Sequence, residues 1–288
     1  MKGVIVRNAY YTTLSPRYQT VRLREAGEAR GLEMSVYENK HPYFSDELPQ
    51  EFADADVVFF FDKDVKLAYD LENARKVLLN PARSIEIADD KATTAVYLAR
   101  YGLPHPKTIP SPKRFDKGTD PTYLAEVGAV LTYPLVVKQN GGSLGQQVYL
   151  AHDYEELLTI DREISEFDRL YQEYRKESEG ESYRVLVIGG KTFCAMKLKS
   201  DSDFRSNAAM GGNAEKADLP EEFRALAEDT AKKFALNYVG VDLFCHKPEV
   251  IELNSNAYFR MAESVTGLDV AGAIVEEAMD LFRQKNTI

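Results

Sequence analysis

Cysteine is scarce in this chain: Cys194 and Cys245 are the only two, far apart and without metal-ligand spacing. A reducing, cytoplasmic setting is the simplest reading, with both thiols in or near the core. Long apolar runs are missing as well. The longest, such as Val57 to Phe61, are far too short to span a bilayer. Met1-Lys2-Gly3-Val4-Ile5-Val6 reads as a first strand rather than a signal peptide, because no long apolar stretch with a small-residue cleavage site follows. Positive charge falls short of negative, 36 Lys and Arg against 46 Asp and Glu, for a formal net charge of -10. That argues against broad binding of nucleic acid or of an anionic membrane, both of which need a basic face. It leaves room for a local basic pocket that holds phosphates.

Several catalytic signatures are missing too. His41, His105, His152 and His246 share no metal-ligand spacing and read as loop residues. No G-x-G-x-x-G follows the first strand, so a Rossmann dinucleotide site is unsupported. The Walker pattern and the G-x-S-x-G elbow are likewise absent, and no Ser-His-Asp or Cys-His arrangement can be assembled from the sequence. The tyrosines and phenylalanines are scattered at core spacings and form no stacking motif for nucleic acid.

What remains is ordinary for a soluble globular enzyme: 288 residues, 44% hydrophobic and 28% charged. The length fits one large domain or two or three small ones. Residues 1–88 alternate strand and helix, which predicts a small α/β unit with a parallel sheet. Its strands are expected at Gly3 to Arg7, Glu33 to Tyr37, Val57 to Phe61 and Lys76 to Leu79. A helix over Gln19 to Arg30 should turn Val21, Leu23 and Ala26 inward, a second lies around Leu67 to Arg75, and Asn80-Pro81 ends the unit. Asp89-Asp90 then caps a helix from Lys91 to Tyr101, with Ala95, Leu98 and Ala99 on one face and Gly102 as its stop. A middle lobe over 89–171 holds the strands Leu135 to Lys138 and Gln147 to Leu150 around a glycine-rich turn, then an acidic helix. A last lobe over 172–288 holds the strands Arg184 to Ile188 and Thr192 to Lys197, a hairpin, and a closing helix from Asp269 to Phe282. The last two lobes are dominated by antiparallel hairpins.

The hairpin is the most informative segment. Val239-Gly240-Val241-Asp242-Leu243-Phe244 and Glu249-Val250-Ile251-Glu252-Leu253-Asn254 both read as strands, joined by a turn at His246-Lys247-Pro248. Side chains alternate faces along a strand, so Glu252 and Asn254 point the same way. With a three-residue turn, Asp242 lies directly opposite Glu252 on that face. Like charges so placed are destabilising, and something positive should sit between them. An all-oxygen set of two carboxylates and an amide favours Mg²⁺ or Mn²⁺ over zinc.

Other segments offer groups for phosphate. Lys138 ends a strand just before Gly141 to Gly145, where glycines let backbone N–H groups approach phosphate oxygens. Asp203-Phe204-Arg205-Ser206-Asn207 carries a planar guanidinium fork with two neutral hydrogen-bonding side chains, followed by Gly211-Gly212. Lys91 stands at a helix start, against the dipole, as it would if it reached toward a phosphate or were offset by Asp89 and Asp90. Glu173 and Tyr174 end a short strand between two lobes, a backbone edge suited to an adenine ring.

In order along the chain, these segments resemble an ATP-grasp protein of the RimK-like carboxylate–amine ligase group. The resemblance covers nearly the whole chain and is strongest from Asp89 onward. It rests on Asp90-Lys91 with Tyr101-Gly102-Leu103-Pro104, Pro134 to Lys138 with the glycine loop, Gln172-Glu173-Tyr174, Asp203 to Asn207, and Val239 to Asp242 with Glu252-Leu253-Asn254. Thr266 to Ala271 completes the series. The resemblance implies an N-terminal parallel α/β lobe followed by two α+β lobes that clasp ATP. It implies that Lys91 and Lys138 contact the ATP phosphates, that Glu173 and Tyr174 hold the adenine with Gln172 in the same cofactor-binding set, and that Arg205, Ser206 and Asn207 lie beside the γ-phosphate and the acyl-phosphate. Asp242, Glu252 and Asn254 would bind two Mg²⁺ ions, with Glu252 bridging. Arg205 and Lys138 are the expected catalytic residues.

Departures accompany it. The glycine loop runs Gly145-Gln146-Gln147-Val148 where relatives usually carry a further glycine. The usual acidic ribose contact is replaced by Ser182, with Glu181 beside it as a substitute. Lys197 stands near a place where relatives often carry arginine, and Ser255 to Arg260 lacks the usual proline-glycine. The resulting expectation is a ligase that joins a carboxylate to an amine, the substrates being amino acids, peptides or similar metabolites, with no nucleic-acid or membrane partner and with room for a homo-oligomer. Two rival readings are a small-molecule kinase on the same scaffold and a non-catalytic nucleotide-binding module.

Overall fold

Val4, Ile5 and Val6 lie at the centre of β1 (Lys2–Asn8), all buried. The computed structural model describes every residue except 41–46, 116–117, 143–145, 201–202, 207–212 and 287–288. After β1 come α1 (Leu14–Ala29), β2 (Glu33–Asn39), β3 (Val57–Phe61), α2 (Val65–Asn73), β4 (Val77–Leu78) and α3 (Ala82–Asp89). The four strands form a parallel sheet in the order β2-β1-β3-β4. β3 is buried along its whole length, as a central parallel strand covered on both faces must be.

The chain continues through α4 (Lys91–Arg100), β5 (Thr108–Pro110), α5 (Pro121–Leu131), β6 (Leu135–Gln139), β7 (Val148–Ala151), α6 (Tyr154–Glu163) and β8 (Arg169–Glu173). These strands form an antiparallel sheet in the order β5-β8-β6-β7. Gln172 and Glu173 pair with Val136 and Leu135, so both are hydrogen-bonded into this middle sheet. Local chemistry fixes the helix starts: Asp90 accepts from the Thr93 N–H at 2.6 Å, and Asp120 accepts from Thr122 and Tyr123 with Pro121 following it. Gly102, at φ +66°, takes the left-handed conformation that ends α4.

A third sheet follows: β9 (Glu181–Ile188), β10 (Lys191–Lys199), β11 (Asn213–Lys216), α7 (Glu221–Lys233), β12 (Tyr238–Phe244) and β13 (Val250–Asn254), closed by α8 (Arg260–Thr266) and α9 (Val270–Asn286). Its order is β11-β10-β9-β12-β13, all antiparallel. The first and third sheets share one core, in which Ile5, Leu23 and Phe59 meet Leu186, Ile274 and Val275. Asn80 locks them together. Its amide donates to the carbonyls of Tyr238 and Ser255, both at 2.7 Å, and accepts from the N–H groups of Asn237 and Tyr238 at 2.9 and 3.0 Å. Among the described residues no helix is long and apolar enough to cross a membrane.

Four details differ from expectation. Val21 is exposed, at 53%, because α1 starts at Leu14 and buries Gln19, Thr20, Leu23, Ala26 and Gly27 instead. Ala99 faces solvent, and the inward residues of α4 are Ala92, Thr94, Ala95 and Leu98. Asn80-Pro81 ends β4 but also opens α3, with Pro81 as the residue before its first turn. Helices α5 and α7, unexpected from the pattern, are covers for the middle and last sheets.

Candidate functional site

Cross-strand register brings the site together. On the last sheet Arg184 of β9 lies opposite Asp242 of β12, and Asp242 lies opposite Glu252 of β13. The expected Asp242–Glu252 pairing is therefore present, but by another path. Phe244 N–H bonds the Glu249 carbonyl at 3.1 Å, Leu243 faces Val250, and a bulge at Ile251 resets the register. On the facing middle sheet, Val136 and Gln172 are opposite one another, and Lys138 is the next residue of β6 on that side. The two faces line a cleft, walled on its apolar side by Val136, Val148, Leu198, Phe204, Phe244 and Ile251.

The charges in this cleft are arranged in pairs. Arg184 makes a two-point contact with Asp242, Nε to Oδ1 at 2.8 Å and Nη2 to Oδ2 at 2.6 Å. Burial pushes the Asp242 carboxyl above its usual range, only partly offset by Arg184. Glu252 meets Lys91 Nζ at 3.2 Å. Burial pushes Glu252 up as well, but Lys91 and Lys138 outweigh it and hold the carboxyl below its ordinary value. Lys138, 9% exposed, donates to Gln172 Oε1 at 2.7 Å. Desolvation lowers its pKa to about 8, against the pull of Glu252. Lys91 also donates to the Gly142 carbonyl, and its backbone N–H bonds the Asn140 carbonyl at 3.2 Å, so the start of α4 is tied to the residues that open the glycine turn.

Around the rim, Glu173 pairs with Arg175 at 2.6 Å, and Arg175 also grips Glu249 through Nε at 2.6 Å. The Tyr174 ring meets Phe204 edge-on at 6.3 Å. Glu181 pairs with Lys197 at 2.9 Å, and the hydroxyls of Ser182 and Ser206 share a hydrogen bond. Arg205 is held by Asp203 through Nε at 2.8 Å and Nη2 at 2.6 Å, while Nη1 reaches the Val148 carbonyl on the middle sheet at 3.2 Å.

The cleft is thus lined by Lys91, Lys138, Gln172, Glu173 and Tyr174, by Glu181, Ser182, Arg205 and Ser206, and by Asp242 and Glu252. Asn254 is one step further along β13, with its amide nitrogen 3.4 Å from Asp242 Oδ2. Asn207, the glycine-loop residues Ser143 to Gly145, and Gly211-Gly212 lie outside the described residues. Among the described residues no three His, Cys, Asp or Glu side chains gather as a metal cluster. Asp242 and Glu252 offer carboxylate oxygens from one hairpin face, which fits a hard divalent cation such as Mg²⁺, while the Asn254 amide turns its nitrogen to Asp242. Arg184 and Arg175 were not anticipated as site residues. The signal for Arg184 was its two-residue spacing from Ser182, but its importance depends on register with β12, which no local motif encodes.

Comparison with known proteins agrees with this fold. The family model of the RimK-like ATP-grasp domain matches residues 88–278. A probable alpha-L-glutamate ligase of Teredinibacter turnerae is 33% identical, over 93% of this chain and 92% of that protein. Human N-acetylaspartylglutamate synthase A is 31% identical, over 78% of this chain and 58% of that protein. In fold, the chain is similar to D-alanine–D-alanine ligase from Bacillus anthracis complexed with ATP, with a TM-score of 0.75 at 18% identity over 100% and 99% of the two chains. It is also similar to a RimK-domain ATP-grasp protein from Sphaerobacter thermophilus, with a TM-score of 0.71 at 21% identity over 97% and 100%. The chain belongs to the RimK-like ATP-grasp family.

Proposed function

From membership of the RimK-like ATP-grasp family and the cleft between the middle and last sheets, we propose that this protein is an ATP- and Mg²⁺-dependent carboxylate–amine ligase. The observation that carries the reading is the convergence of Lys91, Lys138, Arg184 and Arg205 with two opposed carboxylates beside an apolar slot. Phosphoryl transfer needs positioned charge more than covalent catalysts. A carboxylate oxygen attacks the γ-phosphorus, the bond to the bridging oxygen breaks, and ADP leaves. The amine nitrogen then attacks the acyl carbon, the C–O bond to phosphate breaks, and the amide forms with loss of a proton.

In this reading the slot lined by Val136, Leu198, Phe244 and Ile251 takes the adenine ring, with the backbone at Glu173 and Tyr174 along its edge. Ser182 and Glu181 face the ribose. Lys91 and Lys138 neutralise phosphate oxygens, and Arg205 with Ser206 lies toward the transferred group; Asn207 is assigned to the same set from the sequence alone. Asp242, Glu252 and Asn254 would hold Mg²⁺, with Mn²⁺ as the alternative. When bound, that ion supplies positive charge to the phosphates and fixes their geometry.

The substrates are amino acids or peptides, as the names of the glutamate-ligase and N-acetylaspartylglutamate-synthase relatives suggest. Tyr258, stacked on Tyr11 of the first lobe at 6.0 Å, borders the acceptor side. The test is ADP release measured over paired panels of acids and amines, with mass analysis of the product. The ligase reading requires ADP and amide to form together, dependent on both substrates. ADP with a phosphorylated acid and no amide would make it a kinase, and no ADP with any pair would leave a binding module.

A further inference from the structure

We propose that Thr108 is a positioning residue for Lys138, acting through the side-chain amide of Gln172; the inference rests on the reading of Lys138 as a nucleotide-phosphate contact. Thr108 lies on β5, directly opposite Gln172 of β8, which lies directly opposite Val136 of β6. Lys138 is the next residue of β6 on that face. The row therefore crosses three strands, from an edge of the middle sheet to the cleft.

The two ends of a glutamine amide have nearly the same shape but opposite hydrogen-bonding character, so something must decide which end faces the lysine. Thr108 decides it. Its hydroxyl donates to the Pro106 carbonyl at 2.9 Å, which spends its single proton. Toward Gln172 the hydroxyl oxygen can only accept, and it takes the Nε2 hydrogen at 2.8 Å. Oε1 is thereby turned to Lys138 Nζ, 2.7 Å away. A lysine ammonium offers three donors and no acceptor, so a reversed amide would set N–H against N–H. Gln172 is 6% exposed and Lys138 9%, leaving little water to absorb such an error. The partner of Lys138 is also neutral. The ammonium is aimed without being cancelled by a contact ion pair, which keeps its charge for an anionic ligand.

The test is calorimetric ATP affinity in a double-mutant cycle. Thr108→Val keeps the shape and removes the acceptor, and affinity should fall roughly tenfold, the scale of one mispaired buried polar group. Thr108→Ser restores the hydroxyl and should return affinity to within about twofold. In a Lys138→Met background, Thr108→Val should change affinity by less than about twofold, because a residue acting through Lys138 has nothing left to act on. Native affinity in Thr108→Val, no rescue by serine, or an undiminished loss in the Lys138→Met background would each overturn the proposal. If Thr108→Val does not fold, Gln172→Met removes the Oε1 acceptor of Lys138 itself with Thr108 intact; unchanged affinity there overturns the relay. Lys138→Met alone separates the two levels: unchanged affinity in that variant overturns the phosphate reading itself and the relay with it.

Discussion

Arg184 and Asp242 face one another across β9 and β12 and close a two-point ion pair, at 2.8 and 2.6 Å. This pair answers part of the electrostatic problem posed by the hairpin. Two opposed carboxylates need positive charge, and Arg184 on Asp242 and Lys91 on Glu252 provide it from the protein itself. A cation in this cleft would join charges that are already partly balanced. Removing one partner of a buried pair leaves an uncompensated charge, which is costlier than never having built the pair. Arg184→Met should therefore destabilise the fold by about 3 kcal/mol. Adding Asp242→Asn should recover much of that loss, measured by chemical denaturation across the four proteins of the cycle. Additive losses would mean that the two residues stabilise the fold independently.

Glu252→Gln keeps the shape of the side chain and deletes its charge. If Glu252 helps to hold the divalent cation, turnover should fall by about two orders of magnitude or more while the protein remains folded. Lys91 loses its charged partner in this variant, but its hydrogen bond to the Gly142 carbonyl remains available. The paired measurements are ADP production and Mg²⁺ dependence. Unchanged ADP production would remove Glu252 from the metal set.

The hairpin register was legible in the sequence because strand alternation is strict: Asp242, Glu252 and Asn254 share a face whichever loop joins them, provided the offset is right. The bulge at Ile251 was not legible, since only the hydrogen bonding of Phe244 to Glu249 reveals it. Helix α5 was missed although Asp120-Pro121 marks its start, and α3 was obscured because Pro81 serves as a stop for β4 and a start for a helix. On α1, Leu23 and Ala26 are buried as expected and Val21 was misread, because the rest of the buried stripe is small or polar; Gln19 is buried there to bond the Ala257 carbonyl at 3.2 Å. Arg184, Arg175 and Thr108 were illegible for a common reason. Each acts through a partner on another strand or loop, and single-chain spacing does not report which strands become neighbours.

Lys138→Met keeps most of the apolar stem and removes the cation, so ATP affinity should fall by about 1–3 kcal/mol, the range for a hydrogen bond to a charged group. Equal affinity by calorimetry would make Lys138 a purely structural lysine.

The same residue predicts a pH dependence. Its pKa in the fold is lowered from 10.5 to about 8. Nucleotide binding without added metal should therefore weaken as pH rises through about 8, as the ammonium is lost, and the Lys138→Met protein should lack that step. The effect on stability has the opposite sign. Between about 8 and 10.5 the unfolded chain keeps a proton that the fold has released, so the native protein gains stability with rising pH in that window. The comparison is chemical denaturation of native and Lys138→Met proteins at several pH values. A stability difference that stays flat across the window would contradict the lowered pKa.

Arg205 carries the last prediction. Its guanidinium is held in place by Asp203 through Nε and Nη2, while Nη1 bonds the Val148 carbonyl of the middle sheet at 3.2 Å. The side chain thus has two candidate roles, closing the cleft and presenting charge to the transferring phosphoryl group. We expect the second to dominate. An interaction made mainly in the transition state lowers the chemical rate with little effect on nucleotide affinity. Arg205→Lys keeps the charge but loses the fork that Asp203 orients, so its single-turnover rate should fall clearly. Arg205→Ala should fall further, by roughly 10²-fold, the scale of one lost donor to developing charge. Nucleotide affinity should change much less in both. Both quantities can be measured once an acid and amine pair is in hand. Collapse of affinity with survival of the chemical rate would reassign Arg205 to nucleotide binding and cleft closure. No change in either would make the Asp203–Arg205 loop ordinary surface.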